Sequence, residues 1–232
     1  MLPHIYFRIF GHGATLLMHS INAVVMLNSL RNELVLRDPQ VRTLASMQGR
    51  FLTIWNIAFQ MTYSSLALSC DVLTLTNREH LLPKFVKKFR DFFFSTVLVF
   101  FVFWPFYLYD RNIIFPEYID KVFSTTSNHI LHTAIVPIVA WEILFRPRSP
   151  PKSHLRNLFH LAVHLIVYLA VLYYTYLQDG IWIYPIFKVT FGSIHFYLIH
   201  VYIGGISFMF YYIQWLITYA VHGTQGEKSK VK

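Results

Sequence analysis

Two histidines stand three residues apart at the start of an otherwise apolar stretch, SNHILHTAIVPIVAWEILF, which covers residues 127–145. Residues three and four apart share one face of a helix, so His129 and His132 lie on one stripe, with Asn128 one turn before His132. Imidazole is the side chain most often used as a general base or a metal ligand near neutral pH. The stretch therefore presents one face on which acid–base chemistry or metal binding could occur.

The hydroxyl of Thr53 is a second reactive group at a similar depth. Arg50 predicts the membrane interface before it, and three residues of helix place Thr53 ~4.5 Å deeper. The polar run at residues 124–128 predicts the interface before His132, which then lies ~6 Å deep. A hydroxyl and an imidazole within ~2.6–3.2 Å form the nucleophile and general base of a covalent hydrolase. A threonine in a membrane helix commonly bonds its own backbone instead, so the spacing leaves catalysis and packing both open.

Metal binding is the alternative use of the histidines. The sequence HLAVH places His160 and His164 on one helix face, as in many metal sites. The predicted topology puts this pair in the opposite leaflet from His132, so these residues do not easily share one ion. His195 and His200 are five residues apart, which is a poor shared face. Interior hydrogen bonding is favoured over a metal or haem site, and no cofactor is predicted.

The elements that must position these groups are membrane helices. Of 232 residues, 55% are hydrophobic and 13% are charged, which excludes an ordinary soluble domain. A membrane-spanning helix needs ~20 mostly apolar residues. Six segments meet this need: 9–30, 51–73, 92–109, 126–145, 157–177 and 193–221. We predict an all-α, polytopic membrane helix bundle of about six transmembrane helices, forming a single domain over residues 1–232.

Charge predicts the orientation of the bundle. The net charge is +9, but the basic residues cluster between apolar runs, which indicates membrane topology and not nucleic acid binding. Thirteen Lys and Arg fall on one side and seven on the other, so both termini are predicted to be cytosolic. The single Cys70 excludes a disulfide framework within the chain. The C-terminal KSKVK resembles a dilysine signal, which favours the endoplasmic reticulum or another endomembrane over the plasma membrane.

Four separated motifs carry a family resemblance. They are RFLTIWN at 50–56, YDRNIIFP at 109–116, NHILHT at 128–133 and GIWIYP at 180–185. In this order and spacing they resemble the androgen-induced gene 1 family of transmembrane threonine hydrolases. Ile130 and Leu131 stand where that family has Gly and Met, and Asn112 and Ile113 alter the second motif. The bulkier Ile130 puts the chain-length preference in doubt more than the chemistry.

The resemblance implies a membrane hydrolase that cleaves fatty acid esters of hydroxy fatty acids. Its nucleophile falls on Thr53 and its essential histidine on His132. Asn128, His129 and Asn56 are the candidates for oxyanion donors or supporting residues. The implied partners are a lipid ester substrate and the membrane. A non-enzymatic multi-pass protein, a transporter and a histidine-based metal or haem protein remain open as alternatives, and no role is predicted for Glu142.

Overall fold

The architecture is all helical. This computed structural model describes residues 2–83, 86, 98–148 and 150–223, and no β-strand occurs within those ranges. The α-helices are α1 (Leu2–Leu30), α2 (Glu33–Leu36), α3 (Pro39–Ser46), α4 (Leu52–Leu75), α5 (Leu98–Tyr109), α6 (Thr125–His132), α7 (Ile135–Phe145), α8 (Leu155–Asp179), α9 (Pro185–Thr190) and α10 (Ile194–His222). Short 3-10 turns lie at Gln48–Arg50, Glu79–Leu81, Arg111–Ile113 and Glu117–Lys121.

Three of these helices are long and apolar enough to cross a membrane. They are α1 over His4–Leu30, α8 and α10, and the pair α6 and α7 is a fourth if it counts as one broken span. The second predicted span corresponds to α4. This helix contains the buried polar residues Asn56, Gln60 and Asp71, and it is not among the three helices that are long and apolar enough to cross a membrane. Residues 92–97 of the third predicted span and the KSKVK end lie outside the described residues. The count of six spans and the side of the termini stay predictions.

The span that carries His132 is broken near its middle. α6 ends at His132, α7 begins at Ile135, and the two helices are bent by 41°. Pro137 has no backbone N–H, so it cannot donate to the carbonyl four residues earlier, and its ring disfavours a continuous helix through this point. The break lets α6 carry His132 at an angle different from that of the remaining span.

Three links meet at the end of the bundle where α4 begins, which we call the site end. Lys121 Nζ, between α5 and α6, lies 2.6 Å from Asp38 Oδ2, before α3. The same ammonium holds the pKa of the partly exposed Asp38 carboxyl below its usual value. Arg50, just before α4, pairs with Asp179 at the end of α8. These ion pairs tie the links together over the helices that carry the histidines and Thr53.

Candidate functional site

Thr53 and His132 are in contact at the site end. Thr53 is the second residue of α4 and His132 is the last residue of α6. Thr53 Oγ1 lies 3.2 Å from His132 Nε2, and the imidazole is 6% exposed. The packing of α4 on α6 therefore brings together two side chains that are 79 residues apart in the chain.

Asn128 determines which ring nitrogen of His132 carries the proton. His132 Nδ1 lies 3.1 Å from the backbone oxygen of Asn128 and 2.7 Å from its Oδ1. A backbone carbonyl can only accept, so Nδ1 carries the hydrogen and donates it. In the neutral ring Nε2 is then free to accept the hydroxyl proton of Thr53. Phe103 stacks on the imidazole, with ring centroids 3.6 Å apart and planes 6° apart, and fixes its orientation.

A cavity of about 200 Å³ opens beside this pair. Helices α4, α5, α6, α8 and α10 contribute to its wall, together with the links at the site end. Most of the wall consists of aliphatic and phenyl side chains. The polar residues along it are Gln48, Thr53, His132, Tyr168, Tyr184 and His200. The reactive pair thus faces a space suited to hydrocarbon chains.

Two tyrosine hydroxyls accept hydrogen bonds from the first backbone N–H of α4. The N–H of Leu52 donates to Tyr168 Oη and Tyr184 Oη, at 3.0 Å each, and so satisfies one of the groups that a helix start leaves without a partner. Tyr168 also donates to Tyr184 Oη at 3.1 Å. The single proton of the Tyr168 hydroxyl is shared between this oxygen and the backbone oxygen of Arg50, 3.3 Å away, so the Tyr184 hydroxyl can donate either to Tyr168 or into the cavity. Burial raises the pKa of Tyr184, so its hydroxyl proton stays in place at neutral pH, beside the cavity.

The three supporting candidates from the sequence occupy different places. Asn128 contacts His132 directly and orients it. His129 Nδ1 lies 3.0 Å from Thr133 Oγ1 and its ring stacks on Trp104, away from the cavity wall. Asn56 is buried one turn after Thr53 but does not line the cavity. Tyr168 and Tyr184 were not singled out from the sequence, although Tyr184 lies in the GIWIYP motif.

The remaining histidines are dispersed. His164 packs edge-on against Trp55 and Phe59, and His195 is exposed near the start of α10. His200 lines the cavity, with Nδ1 2.7 Å from the backbone oxygen of Phe196. Over the part of the chain that the structure describes, no three His, Cys, Asp or Glu residues are grouped so that they could hold one metal ion.

A second group of polar side chains surrounds Glu142 on α7. Arg148 and Arg146 lie 2.7 and 3.1 Å from Glu142 Oε1, and Tyr63 donates to the same oxygen. His12 Nε2 lies 3.6 Å from Oε2. We call these five residues the Glu142 cluster. Two guanidinium groups and a phenol satisfy this carboxylate, which explains how an acid is accommodated in an apolar helix.

Comparison with known proteins identifies relatives of this chain. A family model described as FAR-17a/AIG1-like protein matches residues 14–217. The androgen-dependent TFPI-regulating protein of Mus musculus is 33% identical over 147 residues, which cover 60% of this chain and 63% of that protein. The androgen-induced gene 1 protein of Homo sapiens is 26% identical over 149 residues, covering 59% and 62%. The match therefore spans less than two thirds of the length of these relatives, and no solved structure matches.

Proposed function

The chain belongs to the FAR-17a/AIG1-like family, and on that premise we propose that it is a membrane hydrolase that cleaves fatty acid esters of hydroxy fatty acids. The observation that carries the proposal is the 3.2 Å contact between Thr53 Oγ1 and His132 Nε2 at the wall of an apolar cavity. A nucleophile, a base and a group that orients the base are the parts that covalent ester hydrolysis requires. Thr53, His132 and Asn128 take these roles in order.

The reaction proceeds through an acyl-threonine. Thr53 Oγ1 attacks the ester carbonyl carbon while its proton passes to His132 Nε2. The imidazolium then gives that proton to the departing alkoxide oxygen, and the hydroxy fatty acid leaves. Water attacks the acyl carbon, its proton passes to His132, and the same proton returns to Thr53 as the fatty acid is released. No metal or cofactor takes part in these steps.

Tyr184 is the donor best suited to the oxyanion. Its hydroxyl lines the cavity and accepts a hydrogen bond from Leu52 N–H, which polarises the O–H bond and makes it a stronger donor to a bound carbonyl oxygen. Donors of this kind stabilise the negative charge that develops on the carbonyl oxygen. Asn128 is engaged with His132 and neither His129 nor Asn56 lines the cavity, so Tyr184 replaces them in this role.

The cavity suits the hydrocarbon chains of the substrate class, because these chains and the cavity wall are both apolar. An ester of two fatty acids has long hydrocarbon chains, and the cavity wall is mostly aliphatic and aromatic. In the proposed orientation the site end lies in the lumenal leaflet of an endoplasmic reticulum or other endomembrane bilayer. The substrate then enters from the membrane, and both termini are cytosolic.

The test is hydrolysis of a palmitic acid ester of hydroxystearic acid by the purified protein, compared with Thr53→Ala and His132→Ala. Labelling by a fluorophosphonate probe is measured in parallel. Turnover and labelling in the wild type, loss of turnover in both variants and loss of labelling in Thr53→Ala are expected. Full turnover by Thr53→Ala would contradict the covalent mechanism, and no turnover by folded wild type across several lipid esters would contradict the hydrolase itself.

A further inference from the structure

A band of polar side chains follows the contact between α1 and α4. Its members are all buried, at 7% exposure or less, and on α1 they recur three or four residues apart, which places them on one face. They are His12, Thr15, His19 and Asn22 on α1 and Asn56, Gln60, Ser64 and Asp71 on α4. We call them the polar seam. Polar groups in a membrane helix are costly, so a whole face of them indicates a role in the interior.

Two contacts establish the register of the two helices. Arg8 donates to both carboxylate oxygens of Asp71, at 2.7 and 2.9 Å, and His19 Nε2 lies 3.1 Å from Gln60 Oε1. Eleven residues separate the two contact positions on each helix. The helices therefore run antiparallel with no change of register between the contacts.

In this register the polar seam extends along α1 and α4 as far as the Thr53–His132 pair. Three residues beyond His19, Asn22 comes level with the turn of α4 that contains Asn56. Asn22 Nδ2 donates to Met26 Sδ at 3.3 Å, and Met26 lines the cavity beside Thr53. Asn56 itself lies three residues after Thr53, within one turn of the nucleophile. The polar seam thus ends immediately behind the wall that holds Thr53.

Three buried atoms of the polar seam lack hydrogen-bond partners among the described residues. They are His19 Nδ1 and both side-chain polar atoms of Asn56, and the two side chains are 2% and 4% exposed. A buried polar group without a hydrogen-bond partner destabilises the folded protein. Proteins commonly satisfy such groups with internal water that makes about three hydrogen bonds. Three neighbouring unsatisfied groups with both donor and acceptor character are suited to bind water.

We propose that the polar seam binds the water that hydrolyses the acyl-threonine, with Asn56 as the residue that positions it. This inference rests on the proposed function. The acyl chain fills the apolar cavity on one side of Thr53, so water reaches the ester from the polar side. The water oxygen attacks the acyl carbon, its proton passes to His132 Nε2, and the bond to Thr53 Oγ1 breaks as that oxygen takes the proton. The fatty acid leaves, and the hydroxyl is restored.

The two products of the substrate report the two steps separately. In the first turnover, release of hydroxystearic acid measures acylation of Thr53, and release of palmitic acid measures attack by water. Asn56→Leu removes both polar atoms and introduces an apolar side chain. We expect one equivalent of hydroxystearic acid to be released at the wild-type rate, palmitic acid release to fall at least tenfold, and palmitoyl-Thr53 to accumulate in the mass spectrum. Asn56→Ser, which keeps a polar group and leaves room for water, should restore palmitic acid release.

Two further variants complete the experiment. Ser65→Leu changes an exposed position on the same helix and should alter neither product. Asn22→Leu is the substitute variant if Asn56→Leu fails to fold. It removes the neighbouring polar side chain and should likewise slow palmitic acid release. Unchanged palmitic acid release in Asn56→Leu and Asn22→Leu, or an equal fall in the rates of both steps within the first turnover, would overturn the water site and leave the hydrolase intact. Absence of both products from wild type would instead overturn the proposed function together with this inference.

Discussion

The Thr53–His132 pair and the Glu142 cluster are both polar and lie inside the bundle, but they differ in charge and in the open space beside them. At Glu142 one carboxylate receives two guanidinium groups and a phenol, and opposite charges lie in direct contact. At Thr53 two neutral side chains share one hydrogen bond beside a cavity of about 200 Å³. A cluster of paired opposite charges binds helices together, whereas a neutral pair beside open space is available to a ligand. On the proposed function, this difference separates a structural role from a chemical one within the same membrane bundle.

The largest expected effect is the loss of the Thr53 hydroxyl. Thr53→Val keeps the shape of the side chain but removes the nucleophile, so ester cleavage should fall by about 10⁴-fold with an unchanged unfolding temperature. Thr62→Val is the matched control, because Thr62 is exposed on the same helix and bonds only the backbone of Ala58 in the described structure. Ester cleavage by Thr53→Val within tenfold of wild type would end the assignment of a chemical role to this pair.

Glu142→Gln tests the other side of the comparison. The substitution leaves two buried guanidinium groups without their counter-charge, which should destabilise the protein by about 3–5 kcal/mol. Thermal unfolding in detergent measures this, and ester cleavage per folded molecule should be unchanged at low temperature. Asp179→Asn, which affects the half-exposed pair with Arg50, should cost at most about 1 kcal/mol. A Glu142→Gln protein of normal stability without activity would place the Glu142 cluster in the chemistry.

Tyr184→Phe tests the proposed oxyanion donor beside the Thr53–His132 pair. Removing one oxyanion donor should lower kcat by roughly 10²–10³-fold, with KM nearly unchanged. Tyr176→Phe is the control from the same aromatic group, since Tyr176 stacks on Trp182 at 4.3 Å through its ring. A rise in KM without a change in kcat would show that Tyr184 only shapes the cavity.

The smallest expected effect concerns the cavity itself. Gly204 lines it, Gly205 does not, and an added Cβ at either position has no atom within 4 Å. Gly204→Val should therefore fill part of the cavity and shift the preference towards shorter acyl chains by about tenfold in kcat/KM. Gly205→Val should leave that preference unchanged. Competition between esters of different acyl length measures the ratio, and equal behaviour of both variants would contradict the placement of the acyl chain.

Much of this arrangement could be predicted from the sequence because apolar runs and motifs are local. The runs indicated helices at the correct positions, and the motifs singled out Thr53 and His132. Which side of a helix faces a cavity depends on packing, so the places of Asn56 and His129 could not be predicted. Tyr168 gave no signal at all, since an aromatic residue in a membrane helix is ordinary. The role of Glu142 required Arg148 and Tyr63, which come from other segments.

The apolar wall of the cavity has a consequence for the end of the proposed cycle. The ester group of the substrate is neutral, and the one carboxyl of the substrate lies at the far end of its hydroxy fatty acid. Hydrolysis creates a second carboxyl at the former ester carbon, inside the cavity, and its ordinary pKa of about 4 makes it an anion at neutral pH. Burial of an unpaired carboxylate costs several kcal/mol, and the cavity wall contains no lysine or arginine among the described residues to offset it. In the proposed cycle the apolar surface that accepts the neutral ester group therefore disfavours the new carboxylate, which favours release of the fatty acid and opposes inhibition by it.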